Sequence, residues 1–384
     1  MTKSALVQPK ARSIDWRVYR SILALVAIMI GLAFLTHGTF LSARNLTNLT
    51  RQVSINGILA IGMTYVILVG GIDLSVGSVT ALAGVIAGVL QVNYGLAQWQ
   101  GAQQWVAIGL TTLAAVVTGA ACGAFNGFLI TRHRIAPFII TLGMMVIARG
   151  MALIFANGAA ISPLSDRFNE IGQGYLSPTL SSIVLGVIGV AVVLSHVMKK
   201  ERTVGDYLLI GWTAALVSGS IWVFSQYRGL PIPVLIFGAL GIVGILILQK
   251  TRLGRFVLAI GGNPEAAWLA GVPIRKITFG IYLTIGALAG LCGAILSARL
   301  NGALPTAGEL FELDAIAAVV IGGTSLVGGV GTVRGSILGA FFIGALNNGM
   351  SLLDITEFYQ KVIKGVIIIF AVWFDMRQSP KSGR

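Results

Sequence analysis

The feature that most constrains this chain is where its charges fall. They are confined to short segments, and between them run apolar stretches of about 17 to 25 residues, the length that carries an α-helix across a hydrocarbon core. Of 384 residues, 56% are hydrophobic and 10% charged, against about 25% charged in a typical soluble domain. No polar stretch is long enough to build a separate soluble domain. A backbone in lipid must satisfy its own hydrogen bonds, so the expected fold is an all-α polytopic membrane protein.

Spans are expected near 21–38, 52–70, 74–93, 105–130, 137–157, 182–198, 207–225, 232–249, 277–297, 313–328, 333–352 and 360–375. About twelve crossings place both termini on one side. The net charge of +14 supports the same topology, because eighteen of the 27 Lys and Arg lie in residues 1–20, 132–134, 199–202, 250–276 and 377–384. The positive-inside rule puts those segments in the cytoplasm. The basicity is thereby accounted for by orientation, and a nucleic-acid partner is not expected. The organisation reads as a cytoplasmic tail (1–20), one transmembrane domain (21–375) and a second cytoplasmic tail (376–384). The first apolar run begins near Ser21 without a small-residue cleavage site and reads as an uncleaved anchor. Cys122 and Cys292 sit inside expected spans as free thiols, and the three histidines are too scattered for a metal cluster.

Two glycine-rich segments interrupt the apolar runs. The first holds Gly70, Gly71, Asp73, Ser75, Gly77 and Ser78; the second holds Gly322, Gly323, Thr324 and Ser325. "SAR" precedes each break, at 42 and 297, which suggests an internal repeat. Paired breaks in two halves of a membrane protein are expected around a translocation pathway. Asp73 can cap the next helix by accepting from N–H groups near Ser75 or Val76, or can line the path; both readings stand. Asn56, Asn126, Arg149, Asn347 and Asn348 are polar residues inside spans, able to contact cargo or to tie helices together.

The loop 249–276 is basic at both ends and encloses a short helix. Asn263 is placed to cap it, Pro264 to occupy its first position, and Glu265 to meet the positive end of the helix dipole. Gly271 ends it and Pro273 prevents its continuation. A helix of this length is not stable alone and must pack on a membrane face or a partner.

Glu265, Ala266 and Ala267, followed after three residues by Gly271, resemble the coupling-helix signature of ATP-binding-cassette importer permeases. "GIDLSVGS" (71–78), "TRLGR" (251–255), "PTAG" (305–308), "ELDAIAAVVIGGTSL" (312–326) and "NNGM" (347–350) extend the likeness to the ribose/xylose/arabinose permeases over essentially the whole chain. The resemblance implies a multi-pass subunit of a bacterial inner membrane, with no catalytic residue or cofactor of its own, that imports a monosaccharide, D-xylose or a related pentose. It implies a second copy of the chain, a cytoplasmic ATP-binding subunit that uses ATP and Mg, and a periplasmic sugar-binding protein. An extra hairpin, roughly 181–227, departs from the ten-span core and resembles xylose-type members.

Lack of any G-x-x-x-x-G-K-[ST] loop agrees with an energy source outside the chain. Arg167, Glu170, Arg228, Arg299, Glu309 and Glu312 fall in loops expected on the periplasmic side, where they can steer a docking partner. The competing reading is an ion-coupled secondary transporter, with Asp73 and Asp314 as relay carboxylates.

Overall fold

A computed structural model describes residues 16–198 and 204–378. The expectations for both tails and for the hairpin tip fall partly on 1–15, 199–203 and 379–384, outside the described residues. The helices are α1 (Trp16–Leu35), α2 (Ala43–Leu68), α3 (Val76–Gly88), α4 (Gln103–His133), α5 (Pro137–Phe155), α6 (Asp166–Gln173), α7 (Pro178–Val197) and α8 (Val204–Ser225). They continue as α9 (Ile232–Lys250), α10 (Arg252–Gly262), α11 (Pro264–Leu269), α12 (Ile274–Leu300), α13 (Phe311–Ile321), α14 (Val333–Leu352) and α15 (Glu357–Gln378).

The chain is thus an all-α polytopic membrane protein, and each expected span coincides with a helix. Among the described residues, six helices are long and apolar enough to cross a membrane: α2, α3 with its π-helical extension to Asn93, α4, α5, α9 and α12. One span requires correction. The apolar run 313–328 was expected to cross as a helix, yet α13 stops at Ile321. Its 11 residues rise only about 16 Å, roughly half of a hydrocarbon core. The chain that follows, 322–332, is irregular, with Gly322, Thr324 and Gly328 buried and Val327 and Val330 exposed.

α2 is the central element: 83% of its apolar window is buried, against 28% for α4 and 22% for α5. Around it pack α12, α13, α14 and α9, while α3 is held between α12, α4 and α5. The closest crossing joins α4 to α12. Ala115, Gly119 and Gly123 on α4 meet Tyr282, Gly286 and Gly290 on α12 backbone to backbone, so that a Cβ on Gly286 would strike the carbonyl of Gly119. Lipid supplies no hydrophobic drive between helices, and small residues at four-residue spacing gain van der Waals contact by letting backbones touch.

The α7–α8 hairpin packs on itself and only lightly on α2. Its base is closed by a two-rung clasp, in which Leu176 N donates to Leu230 O (2.9 Å) and Ile232 N donates to Gly174 O (3.0 Å).

Candidate functional site

The 249–276 loop folds into two helices where the sequence suggested one. Thr251 caps α10 by accepting from Gly254 N (3.3 Å), and α10 buries Gly254, Val257 and Ile260. The expected caps of α11 are all present. Asn263 Oδ1 accepts from Ala266 N at 2.9 Å, Pro264 opens the helix, and Gly271 turns left-handed at φ 77°. Gly271 N donates to Trp268 O and Val272 N to Ala267 O, a Schellman termination. Ala267 is buried, whereas Glu265, Trp268 (68% exposed) and Leu269 (73% exposed) project outward. Sequence reasoning missed this exposed apolar pair; the signal was two large apolar residues in a stub whose buried position is only an alanine.

The two glycine breaks are built alike. After α2, Gly70 (φ 79°) donates to Ile67 O and Gly71 N donates to Val66 O; after α13, Gly323 (φ 85°) donates to Val320 O and Thr324 N to Val319 O. Both are Schellman terminations, which need a residue tolerant of positive φ at that one position. The breaks also touch. Gly329 N donates to Leu68 O at 2.9 Å, and Gly261, near the end of α10, fills the angle between them so tightly that a Cβ there would collide with Leu68 O and Gly329 N. The 249–276 loop therefore seats directly on both breaks.

Within the first break Asp73 is buried. Its Oδ1 accepts from Ser75 N (2.8 Å) and Ser75 Oγ (2.6 Å), a local turn that holds the residue preceding α3, whose own first turn has no side-chain cap. Asn126 Nδ2 donates to Ser75 Oγ (3.1 Å), and Thr141 Oγ1 donates to Ile72 O (3.3 Å), so α4 and α5 both hold the break. Gly77 and Ser78 lie in the buried first turn of α3. Thr324 is buried and Ser325 N donates to Val330 O, closing the second break on itself.

Toward the opposite end of α2 lies a polar cavity of about 130 Å³, among whose lining residues are Gln52, Asn56, Arg299, Asp314, Asn347 and Lys364. Asp314 Oδ2 accepts from Asn56 Nδ2 (3.3 Å), Asn347 Nδ2 (3.1 Å) and Lys364 Nζ (3.1 Å). Asn347, a pathway candidate, is thereby brought to Arg299, a docking candidate. Lys364 and Gln52 were not foreseen, because neither stands out from its own helix. Asn348, next in sequence, faces elsewhere: it and Asn45 exchange amide hydrogen bonds of 2.9 and 3.0 Å, locking α2 to α14.

The other docking candidates lie at the same end. Arg167 pairs with Glu170 (2.9 Å), and Arg228 stands 5.9 Å over the rings of Tyr175 and Tyr227. Glu309 pairs with Lys361 at 2.8 Å, which holds its carboxyl below the usual value. Arg149 reaches from α5 to donate to Pro305 O (2.6 Å) and Ala307 O (2.9 Å), fixing the loop that carries Glu309 and leads to Glu312.

A buried helical bundle with paired glycine breaks and a short outward-facing helix is the arrangement of a multi-pass membrane protein. The chain belongs to the family described as branched-chain amino acid transport system / permease component, whose profile matches residues 45–372. It is 39% identical over 382 residues to the xylose transport system permease protein XylH of Escherichia coli K12, covering 97% of this chain and 94% of that protein. The XylH protein of Haemophilus influenzae is 40% identical over 383 residues (97% and 99%), and the ribose import permease protein RbsC of Bacillus subtilis is 36% identical over 358 (92% and 91%). No solved structure matches the chain.

Proposed function

We propose that this chain is the membrane-spanning permease subunit of an ATP-driven importer that carries D-xylose or a related pentose into the cytoplasm of a bacterium. Twelve crossings, with α13 completed by irregular chain, form one transmembrane domain (21–375) that includes the hairpin. Both termini, α10 and α11 face the cytoplasm, and the 301–310 loop faces the periplasm of the inner membrane. A cytoplasmic ATP-binding subunit, holding ATP and Mg, grips the stub formed by Asn263 through Gly271. A periplasmic sugar-binding protein docks near Arg167, Glu170, Arg228, Arg299, Glu309 and Glu312, and two copies of the chain pair in the lipid.

The observation that carries this reading is the contact of Gly261 with both breaks. A push on α11 reaches α10 and, through it, the end of α2 and the irregular segment after α13 by direct backbone contact at Leu68 and Gly329. The family description names amino acids, whereas the relatives aligned over nearly the full length are named for xylose and ribose. A zwitterion would require unpaired charges of both signs, and the carboxylate of the polar cavity, Asp314, is already paired with Lys364. The same pairing weighs against Asp314 as a proton relay in an ion-coupled transporter. The test is uptake of labelled D-xylose by liposomes holding the chain with its ATPase and binding protein. Accumulation is expected only with internal ATP; accumulation driven by an ion gradient alone overturns the proposal.

A further inference from the structure

Two buried amide oxygens lack partners in the polar cavity. Asn56 and Asn347 keep 7% and 6% of their surface exposed, and each turns its NH₂ toward Asp314 Oδ2. That choice leaves Asn56 Oδ1 and Asn347 Oδ1 buried with no hydrogen-bond partner. Buried acceptors are ordinarily satisfied, so two orphans on one cavity point to a donor that comes from outside the chain.

The rest of the lining narrows what that donor is. Asp314 is neutralised by Lys364, so the cavity does not demand a cation. The Arg299 guanidinium and the Gln52 amide line the same space with no side-chain hydrogen bond among the described residues, leaving donors unspent as well. A surface with both donors and acceptors to spare, its carboxylate already paired with Lys364 and the Arg299 cation left to donate, matches groups that donate and accept at once, which is the property of a hydroxyl. The volume, about 130 Å³, is below the ~300 Å³ at which drug-sized sites begin. Asn56 lies halfway along α2, so the site reaches mid-span.

From this we infer that the cavity between α2, α12, α13, α14 and α15 is a binding site for a small neutral polyhydroxylated solute, held by Asn56 and Asn347 as acceptors and by Arg299 and Gln52 as donors. The inference rests on the reading of the chain as a sugar permease and gives that cargo a place within a single subunit. Asp314 and Lys364 act here as positioning residues, because they set which way the two amides turn.

The test uses the full transporter in liposomes, with Ser351→Cys at the cavity rim as a reporter of access in the otherwise unaltered chain. D-xylose is expected to slow labelling of that thiol by a water-soluble methanethiosulfonate several-fold, while leucine leaves it unchanged. In parallel, Asn56→Leu and Asn347→Leu are expected to cut ATP-driven xylose uptake at least tenfold while stimulation of the ATPase by the loaded binding protein persists. Labelling slowed by leucine and not by xylose, or by neither, overturns the site, as does wild-type uptake in both leucine variants. If either variant fails to fold, the protection result on the Ser351→Cys chain alone decides. Absence of xylose uptake in the unaltered transporter removes the sugar-permease reading itself, a different outcome from loss of the site.

Discussion

Leu68 and Gly329 belong to the two separate glycine breaks, and the N–H of Gly329 donates to the carbonyl of Leu68 at 2.9 Å. That bond makes the breaks one structural unit, with Gly261 of α10 wedged against both of its atoms. Replacing Gly261 by valine puts a branched side chain where no methyl fits. Overpacking of this kind costs about 1–3 kcal/mol. Xylose uptake is expected to fall at least tenfold, with the ATPase subunit still bound in pull-down; unchanged uptake would show that the contact transmits nothing.

The exposed pair on α11 is expected to carry the grip of the ATPase. An aromatic anchor at an interface centre contributes about 2 kcal/mol or more, equivalent to roughly 30-fold in affinity. Trp268→Ala should weaken binding of the ATP-binding subunit by that factor, measured by titration calorimetry, and leave the melting temperature of the lone permease unchanged because Trp268 covers no core. Gly271→Asp should act differently, disturbing the stub itself through the left-handed position it occupies.

Asp314 and Lys364 form a partly buried pair, with 4% and 21% of their side chains exposed. Removing one partner of such a pair costs about 3 kcal/mol. Lys364→Met alone should lower the melting temperature in detergent more than Lys364→Met combined with Asp314→Asn. Strict additivity of the two substitutions would show that they do not interact.

The α4–α12 crossing predicts a contrast between glycines. Gly286→Ala forces backbones apart and should cost about 1–3 kcal/mol. Gly143→Ala, on an open face of α5 with nothing within 4 Å, should stabilise by about 0.5–1 kcal/mol. Melting curves of the two variants in one detergent separate them.

Glu309 predicts a pH dependence. Its pair with Lys361 holds the carboxyl below its ordinary value, so the unfolded chain binds a proton more readily than the folded one. The pair's contribution is therefore fully present above the ordinary carboxylate value and is lost as pH falls through the depressed one. Protection of amides in the 301–310 loop, taken as exchange relative to the intrinsic rate at each pH, should fall with acid in the parent protein and be insensitive to that change in Glu309→Gln. Equal acid response in both would remove the pair as its cause.

Features set by neighbouring residues were legible in the sequence. Asn263, Pro264 and Gly271 act within one or two turns of each other, and all three do what their chemistry requires. The apolar runs located the long helices for the same reason. What escaped was tertiary. The Gly322–Ser325 break was visible inside the apolar run, but that α13 stops at Ile321 follows only once Gly323 is seen to take positive φ. Asn347 and Asn348 are indistinguishable in the sequence, yet one faces Asp314 and the other Asn45. Lys364 gains its meaning from a carboxylate fifty residues earlier. The four-residue spacing of Gly119 and Gly123 with Gly286 and Gly290 was visible and was not weighed, since small residues show no helix-packing partner until two helices are set side by side.

The clasp between Leu176 and Leu230 makes the α7–α8 hairpin an editable module. Chain enters and leaves it at neighbouring rungs, so excision leaves a gap that a tight turn can close. Two helices come or go together, so the chain beyond them resumes from the same end of the bundle. A lineage can gain or shed this hairpin in a single step without rewiring the machinery beyond it.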